Sequence, residues 1–599
     1  MNFKLILHTL PHLRWEQVFY RVVRVAQFRA YAVLPSLAAR WQTVKDRAPE
    51  PAAEVTETIR QLFETSFLHH QAPLESYDQM LTGLLENKFT LLNRTLSIPQ
   101  PDWNRRYESH LWNYQFHYFG YLVPAARACR YRCDVSGWQR CQELIESWIR
   151  KAVIGRSDGW DAYPTSLRVV NWIYAYALLE DRLPQDRVFL RKWRASIYQQ
   201  LDFLSQHTEK HLLANHLLEN AKTLVIGGLF FADDAKGRQW LAQGEKILWR
   251  ELDEQVLEDG GHYERAPMYH ALALGGFLEC FALLREFRRQ RNLAWQSVSS
   301  GRIIRKLRAM TRFLAVMSYA DGTLALFNDS ANTEQSAPPP LLAAAARIIG
   351  DEAEPQSPVF PETGYYCWLS PDETEKIIVD AGPPSVDYCT AHAHCDLLSY
   401  ELRFDGRPFI VDSGVHGYDG DRFREYCRAT RAHNTVMFDG REQSEVWGTF
   451  RMARRAELLG VEVSSDERTW DFRGAYQPYS SDVIHERTIR RTQIGEWIIE
   501  DRVESGTAKR AESFIHLHPD VRVRQVSERT IECTLGKLSV LIEPIAAASV
   551  RIATGEDSPI QGWYFPEFGL ARPNPTICLE YVVKAGETFG YRIRRAGSA

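Results

Sequence analysis

The hydrophobic period of this chain changes once, close to residue 355, and that switch limits its fold more than any other feature. From about residue 52 to 350, apolar residues recur at spacings of three and four. The pattern fills 111–130, 137–153, 166–180, 187–206, 211–231, 237–256, 267–289 and 302–318. The links are short and carry Gly, Pro or Asp, as in "SDGWDAYP", "LPQD" and "LEDGGHYERAP". Consecutive helices joined this way pack as antiparallel pairs. Trp112, Trp138, Trp148, Trp172, Trp193 and Trp240 fall inside them, where core packing is the default role. "DEAEPQSPVFPE" (351–362) then reads as a linker. Beyond it the period drops to two: "EKIIVDAG", "LSYELRFDGRPFIVDSG", "TIRRTQIGEWIIEDRVE" and "TIECTLGKLSVLIEP" are strands joined by Asp-Gly and Leu-Gly turns. Short strands without helices predict an antiparallel β-sandwich. At 599 residues the chain exceeds one core. A helical domain followed by a sandwich puts a site at the seam between them.

Charge excludes some classes of function. The formal net charge is −4 and charged residues make up 25%, so there is no basic field for nucleic acid. The ten Cys show no CxxC and read as buried thiols. The opening "MNFKLILHTLPHLRWEQVFYRVVRVAQFRAY" has no recognisable secretory leader, an expectation consistent with bacterial cytoplasm or periplasm. From Trp15 to Phe28, Arg and aliphatic residues alternate at helical spacing. This is a helix packed on the body of the protein or a peripheral membrane contact. No stretch is expected to span a membrane.

Three stretches could carry chemistry. In "HLLANHLLENAKTL" (211–224), Asn215 and Glu219 share one helix face, and His216 and Asn220 the next. Polar groups among Leu need partners, so they form either a structural network or a site. In "EDGGHYERAPMYHALAL" (258–274), Pro267 suits a first helical position and puts Tyr269 in the first turn. The helix's positive end and a nearby cation such as Arg265 would favour a phenolate and make Tyr269 a base. Alternatively Tyr269 packs beside Met268. In "HAHCDLLSYELRF" (392–404), His394 is followed by Asp412 and then His433. Two His and a carboxylate suit Zn²⁺. A two-residue turn at Asp405-Gly406, however, pairs Asp412 with Ser399, far along the strand from His394. A metal therefore needs the chain before Leu397 to bend back; otherwise these are histidines at a strand end.

Together these stretches resemble the heparinase II/III-like polysaccharide lyases, among them heparin-sulfate lyases and some alginate lyases. The most specific piece is "AHAHCDLLSYELRFDGRPFIVDSGVHGYDGDRFREYCRATRAHNTVMFDG" (391–440), with "NHLLEN", "ERAPMYH" and "FNDS" (327–330) in the family's order. The resemblance implies a multidomain α+β chain: an N-terminal helical segment (1–95), an (α/α) toroid (96–350) and an antiparallel β-sandwich (360–599). It implies a uronate polysaccharide cleaved by β-elimination. Asn215, with His216 beside it, would neutralise the uronate carboxylate. Tyr269 would be base or acid and His392 the partner base. Glu219, Arg265 and Arg168 would contact substrate. His394, Asp412 and His433 would hold a structural zinc. Cys395, between His394 and Asp396, is a soft ligand expected to point away. Two other functions compete. A glycoside hydrolase on the same toroid would use two of Asp158, Asp161, Glu219 and Glu264. A non-catalytic glycan-binding component would use the aromatic clusters of 110–122 and 158–172.

Overall fold

In a computed structural model the described residues are 3–42, 48–64, 77–182, 186–294, 297–350, 359–466, 468–479, 482–493, 495–546 and 549–596. Most of the expected linker, 351–358, lies outside them. Among the described residues, ten α-helices from His110–Tyr118 to Pro338–Ile349 form the helical part. The single helix expected over 111–130 is two, His110–Tyr118 and Leu122–Arg132. Between them Phe119 adopts φ 56°, and its ring is fully buried. Burial of that ring against Trp103 and Trp172 sustains a left-handed residue that would otherwise be costly. The six tryptophans named above are each 3% exposed or less, and they belong to one apolar core. Nine of the ten Cys are buried and all are free.

The segment before the toroid is not wholly helical, because Lys88–Leu91 and Arg94–Ser97 form a hairpin. One helix among the described residues, Pro267–Gln290, is long and apolar enough to cross a membrane, contrary to expectation. Its apolar window is 94% buried inside the molecule, so it is a central core helix.

After residue 358 the sheets are antiparallel. A five-stranded sheet runs Val359–Phe360, Tyr365–Leu369, Glu375–Asp380, Ser399–Phe404 and Arg407–Ile410. An eight-stranded sheet, a four-stranded sheet and three short two-stranded ones accompany it among the described residues, and residues of the three larger sheets share one core, among them Tyr400, Leu402, Ile489, Trp497, Ile577 and Ile593. Outer strands keep the alternating burial of a half-wet sheet, as in Trp470–Gln477. Ser399–Phe404 does not, for all six of its residues are buried. Tyr400, Leu402 and Phe404 enter the sandwich core. Glu401 and Arg403, on the other face, reach toroid residues: Glu401 accepts from Tyr319 Oη (2.5 Å) and the Leu326 amide (3.0 Å). Arg403 lies 3.5 Å over the Tyr319 ring. A mixed cluster of Phe313, Met317, Phe327, Phe360, Tyr365 and Ile378 closes the same seam.

Candidate active site

A cavity of about 1300 Å³ opens between the helical domain and the sandwich. That exceeds the usual size of a small-molecule pocket and leaves room for more than one sugar ring. Asn215, His216, Glu219, Glu264, Tyr269 and His392 all line it. Two core helices, Ala214–Phe230 and Pro267–Gln290, start at its wall, and their N-terminal partial charges favour an anion there. The first is entered through two consecutive left-handed residues, Leu213 (φ 64°) and Ala214 (φ 50°). Such strain survives only where the surroundings enforce it. Here it sets Asn215 and His216 at the helix's opening turn.

The polar quartet of "NHLLEN" divides. Asn220 is structural: its side chain bonds the Glu209 amide (2.7 Å) and Ser166 Oγ (3.0 Å). His216 Nδ1 lies 3.2 Å from Glu209. Burial opposes the Glu209 charge, but His216 lowers its carboxyl to about 2. Glu219 pairs with Lys222 (2.8 Å), which also lines the cavity. The Asn215 amide group makes no side-chain hydrogen bond among the described residues, and its backbone N–H serves Glu264. Burial raises the Glu264 carboxyl, which stands 3.5 Å from His392 Nε2.

Tyr269 stacks on His392 with ring centroids 3.9 Å apart and planes at 28°. Its hydroxyl shares a 2.8 Å hydrogen bond with Tyr418. The expectation of a phenolate is overturned. Burial first, then Tyr418 and Asp329, push the Tyr269 hydroxyl well above its ordinary pKa, outweighing the helix end. At rest it is a proton donor. His392 Nδ1 lies 2.8 Å from Asp329 Oδ2. A proton on Nδ1 directed at that carboxylate would leave the lone pair on Nε2.

Asp329, in the "FNDS" loop, is the residue the sequence did not reveal. It holds His392 and, through its other oxygen, His394 Nε2 (2.8 Å), and it pairs with Arg424. Burial opposes its charge, but Arg424 and the two imidazoles keep it ionised far below the usual range. Arg424, Tyr418 and Asp329 had no assigned part in the sequence reading. The only signal was the position of "FNDS" among the ordered motifs.

Behind His392 lies a buried group with metal-binding geometry: His394, Asp396 and His433 offer ligand atoms within 4.8 Å of one another. His394 Nδ1, Asp396 Oδ2 and His433 Nε2 are all buried and without hydrogen-bond partners. Three orphaned donors converging in this way fit a divalent ion such as Zn²⁺. The expected carboxylate is replaced: Asp412 stands behind His433, accepting from Nδ1 at 2.8 Å and from the Gly414 amide at 3.1 Å. It would thus orient His433 towards an ion, as Asp329 would orient His394. Leu398 at φ 62° supplies the bend that brings Asp396 in. Cys395 points elsewhere, to the Ser444 carbonyl.

Two expected substrate contacts are corrected. Arg168 is fully buried in the toroid core, bonded to Gln200 (2.8 Å) and the Gly159 carbonyl (2.7 Å). Arg265 donates to the carbonyls of Thr363 (2.9 Å) and Glu362 (3.0 Å), stapling toroid to sandwich. Of the hydrolase candidates, Glu219 and Glu264 reach the cavity, while Asp158 is held by Arg106 and Asp161 by Arg24 and Tyr114. The aromatic clusters split likewise: Tyr114, Tyr118 and Tyr163 line the cavity, and Trp112 and Trp160 fill the core.

Comparison with known proteins gives the same architecture. The chain superposes on a crystal structure of heparinase III with a TM-score of 0.72, over 94% of both chains at 17% identity. On a mutant heparan sulfate lyase from Pedobacter heparinus the TM-score is 0.60, at 20% identity over 95% of this chain and 90% of that one. These likenesses establish the toroid-plus-sandwich fold. The heparin-sulfate lyase of Pedobacter heparinus is 26% identical over 317 residues, covering 49% of this chain and 46% of that protein. That of Bacteroides stercoris is 24% identical over 368 residues, covering 55% and 54%. The match therefore spans about half the length of these relatives. Residues 48–354 match the heparinase II/III N-terminal model and 352–592 the heparinase II/III-like C-terminal model. With both halves matched in order around one shared cavity, the chain belongs to the heparinase II/III family.

Proposed function

We propose that this chain is a polysaccharide lyase that cleaves a uronate-containing anionic polysaccharide by β-elimination. The observation that carries the reading is the stacking of Tyr269 on a carboxylate-held His392, within a cavity that Asn215 also lines. Abstraction of the C5 proton builds negative charge on the uronate carboxylate, which must be neutralised as it forms. The Asn215 amide, the His216 imidazole and the two helix N-termini answer that need. His392 Nε2, with Nδ1–H held by Asp329, accepts the C5 proton. Tyr269, relayed to Tyr418, protonates the departing O4. A divalent ion held by His394, Asp396 and His433 would act as a structural anchor, fixing the loop that carries His392.

The test is a panel of purified uronate polymers followed by the ultraviolet absorbance of a 4,5-unsaturated uronate. The expected result is absorbance gain on at least one polymer, abolished in Tyr269→Phe with the fold intact. Saturated products with a new reducing end, lost in Glu219→Gln, would instead establish a hydrolase. Binding without product would establish a glycan-binding protein.

A further inference from the structure

The helix Trp15–Val33 lies outside the region matched by the family models, and its polarity is inverted. The face turned to the protein is largely polar or polar-tipped. Gln17 is 6% exposed and donates to the Tyr388 carbonyl (3.2 Å), Arg24 pairs with Asp161 (2.9 Å), and the Tyr31 hydroxyl meets His207 (2.9 Å). The face turned to water is apolar. Trp15 is 71% exposed, Val18 42%, Phe19 53%, Val22 64%, Val25 46% and Val33 75%. Their spacing follows the helical period, so they form one outward row about 28 Å long. A row of this size on a soluble surface marks an interaction site.

Charge indicates what covers it. Residues 3–42 contain six cations (Lys4, Arg14, Arg21, Arg24, Arg29 and Arg40) and one acid, Glu16. Arg14 and Arg24 are paired to the body through Glu254 (2.6 Å) and Asp161 (2.9 Å), and Arg21 turns towards the cavity, while Arg29 is exposed and has no carboxylate partner among the described residues. The rest of the chain carries the opposite excess, since the whole is −4. An isologous dimer through this row would bring two cationic strips together, which costs association energy. An anionic bilayer surface matches both features: its acyl boundary takes the apolar row, and its headgroups meet Arg29 and the net positive charge of the segment. Three internal arginines forbid the helix from spanning.

We propose that Trp15–Val33 is an interfacial helix that docks the protein on an anionic lipid surface. The assay is co-sedimentation of the full chain with phosphatidylglycerol-containing vesicles and with pure phosphatidylcholine vesicles, at low and high salt. Sedimentation equilibrium without lipid runs in parallel. The expected result is binding to the anionic vesicles, weakened by salt. The V22E/V25E double variant, confirmed folded by circular dichroism, should bind about tenfold more weakly. Three results would overturn the proposal: no binding of the full chain to anionic vesicles at low salt, equal binding of the folded variant, or a wild-type dimer that V22E/V25E converts to monomer. The last would assign the row to a second copy of the chain.

Discussion

Asp329→Asn is the substitution with the widest expected effect, because one carboxylate serves two imidazoles and a guanidinium. His392 and His394 bond different oxygens of Asp329, and in the amide one of these positions becomes a nitrogen that can only donate. The amide therefore cannot accept from both His392 Nδ1 and His394 Nε2, each now at 2.8 Å. It also leaves Arg424, whose side chain is 2% exposed, without its counter-charge. Removing one partner of a buried ion pair costs about 3–5 kcal/mol, and that loss should appear in denaturant unfolding. The catalytic loss has a separate origin. An amide behind the imidazole turns the ring to the wrong tautomer, with Nε2 protonated, and the comparable change behind a catalytic histidine costs about 10⁴-fold in kcat. The assay is turnover on whichever uronate polymer the panel identifies, with unfolding measured on the same preparation. The expected outcome is a fall in kcat of about 10³–10⁴-fold with KM little changed. If the variant kept more than about a tenth of wild-type kcat, His392 would not be working through Asp329 and the base assignment would fail.

Three further predictions concern the metal, the core and pH. Asp396→Asn should abolish stoichiometric divalent metal measured after dialysis, while Asp412→Asn should weaken binding about 10–100-fold; the reverse order would restore Asp412 to the ligand set. Arg168→Met should lower stability by about 2–5 kcal/mol yet leave KM unchanged, and a raised KM would return Arg168 to the cleft. Burial, then Arg168, lowers His117 to about 3 from an ordinary 6.5, so it is neutral in the fold. Its contribution is complete above pH 6.5 and is lost as pH falls from there towards 3. His117→Gln should therefore flatten the acid limb of the stability curve by up to about 1.4 kcal/mol per pH unit, and an unchanged slope would show that His117 does not drive it.

The period switch made the two halves legible, because helix and strand burial leave different local repeats. Features set by distant contacts left no such trace. The Asp405-Gly406 turn begins in the expected register, Phe404 opposite Arg407 and Arg403 opposite Pro408, but a bulge then shifts Leu402 to Ile410. A continuous strand back to His394 would have kept it far from Asp412. The chain before Ser399 is a loop, so alternation does not govern His394, Cys395 and Asp396. Asp329 lies 63 residues from His392 and 95 from Arg424, beyond the reach of any periodic pattern. Arg168 misled because an arginine among aromatics looks the same from sequence whether it lines a cleft or stacks on a core tryptophan, here Trp148 at 3.9 Å.

Ser399–Phe404 has no wet side: Tyr400, Leu402 and Phe404 belong to the sandwich core, and Glu401 and Arg403 on the other face reach the toroid. Neither half can be cut free without presenting water with an ionisable, unpaired seam where Glu401 and Arg403 had been sealed. Expressed alone, the C-terminal half should be sticky and poorly soluble. Grafting it onto a relative's toroid would require the recipient to carry counterparts of Tyr319, which meets both side chains, and of Asp321, which accepts from Arg403 at 2.5 Å, so exchange between family members is constrained by one six-residue strand.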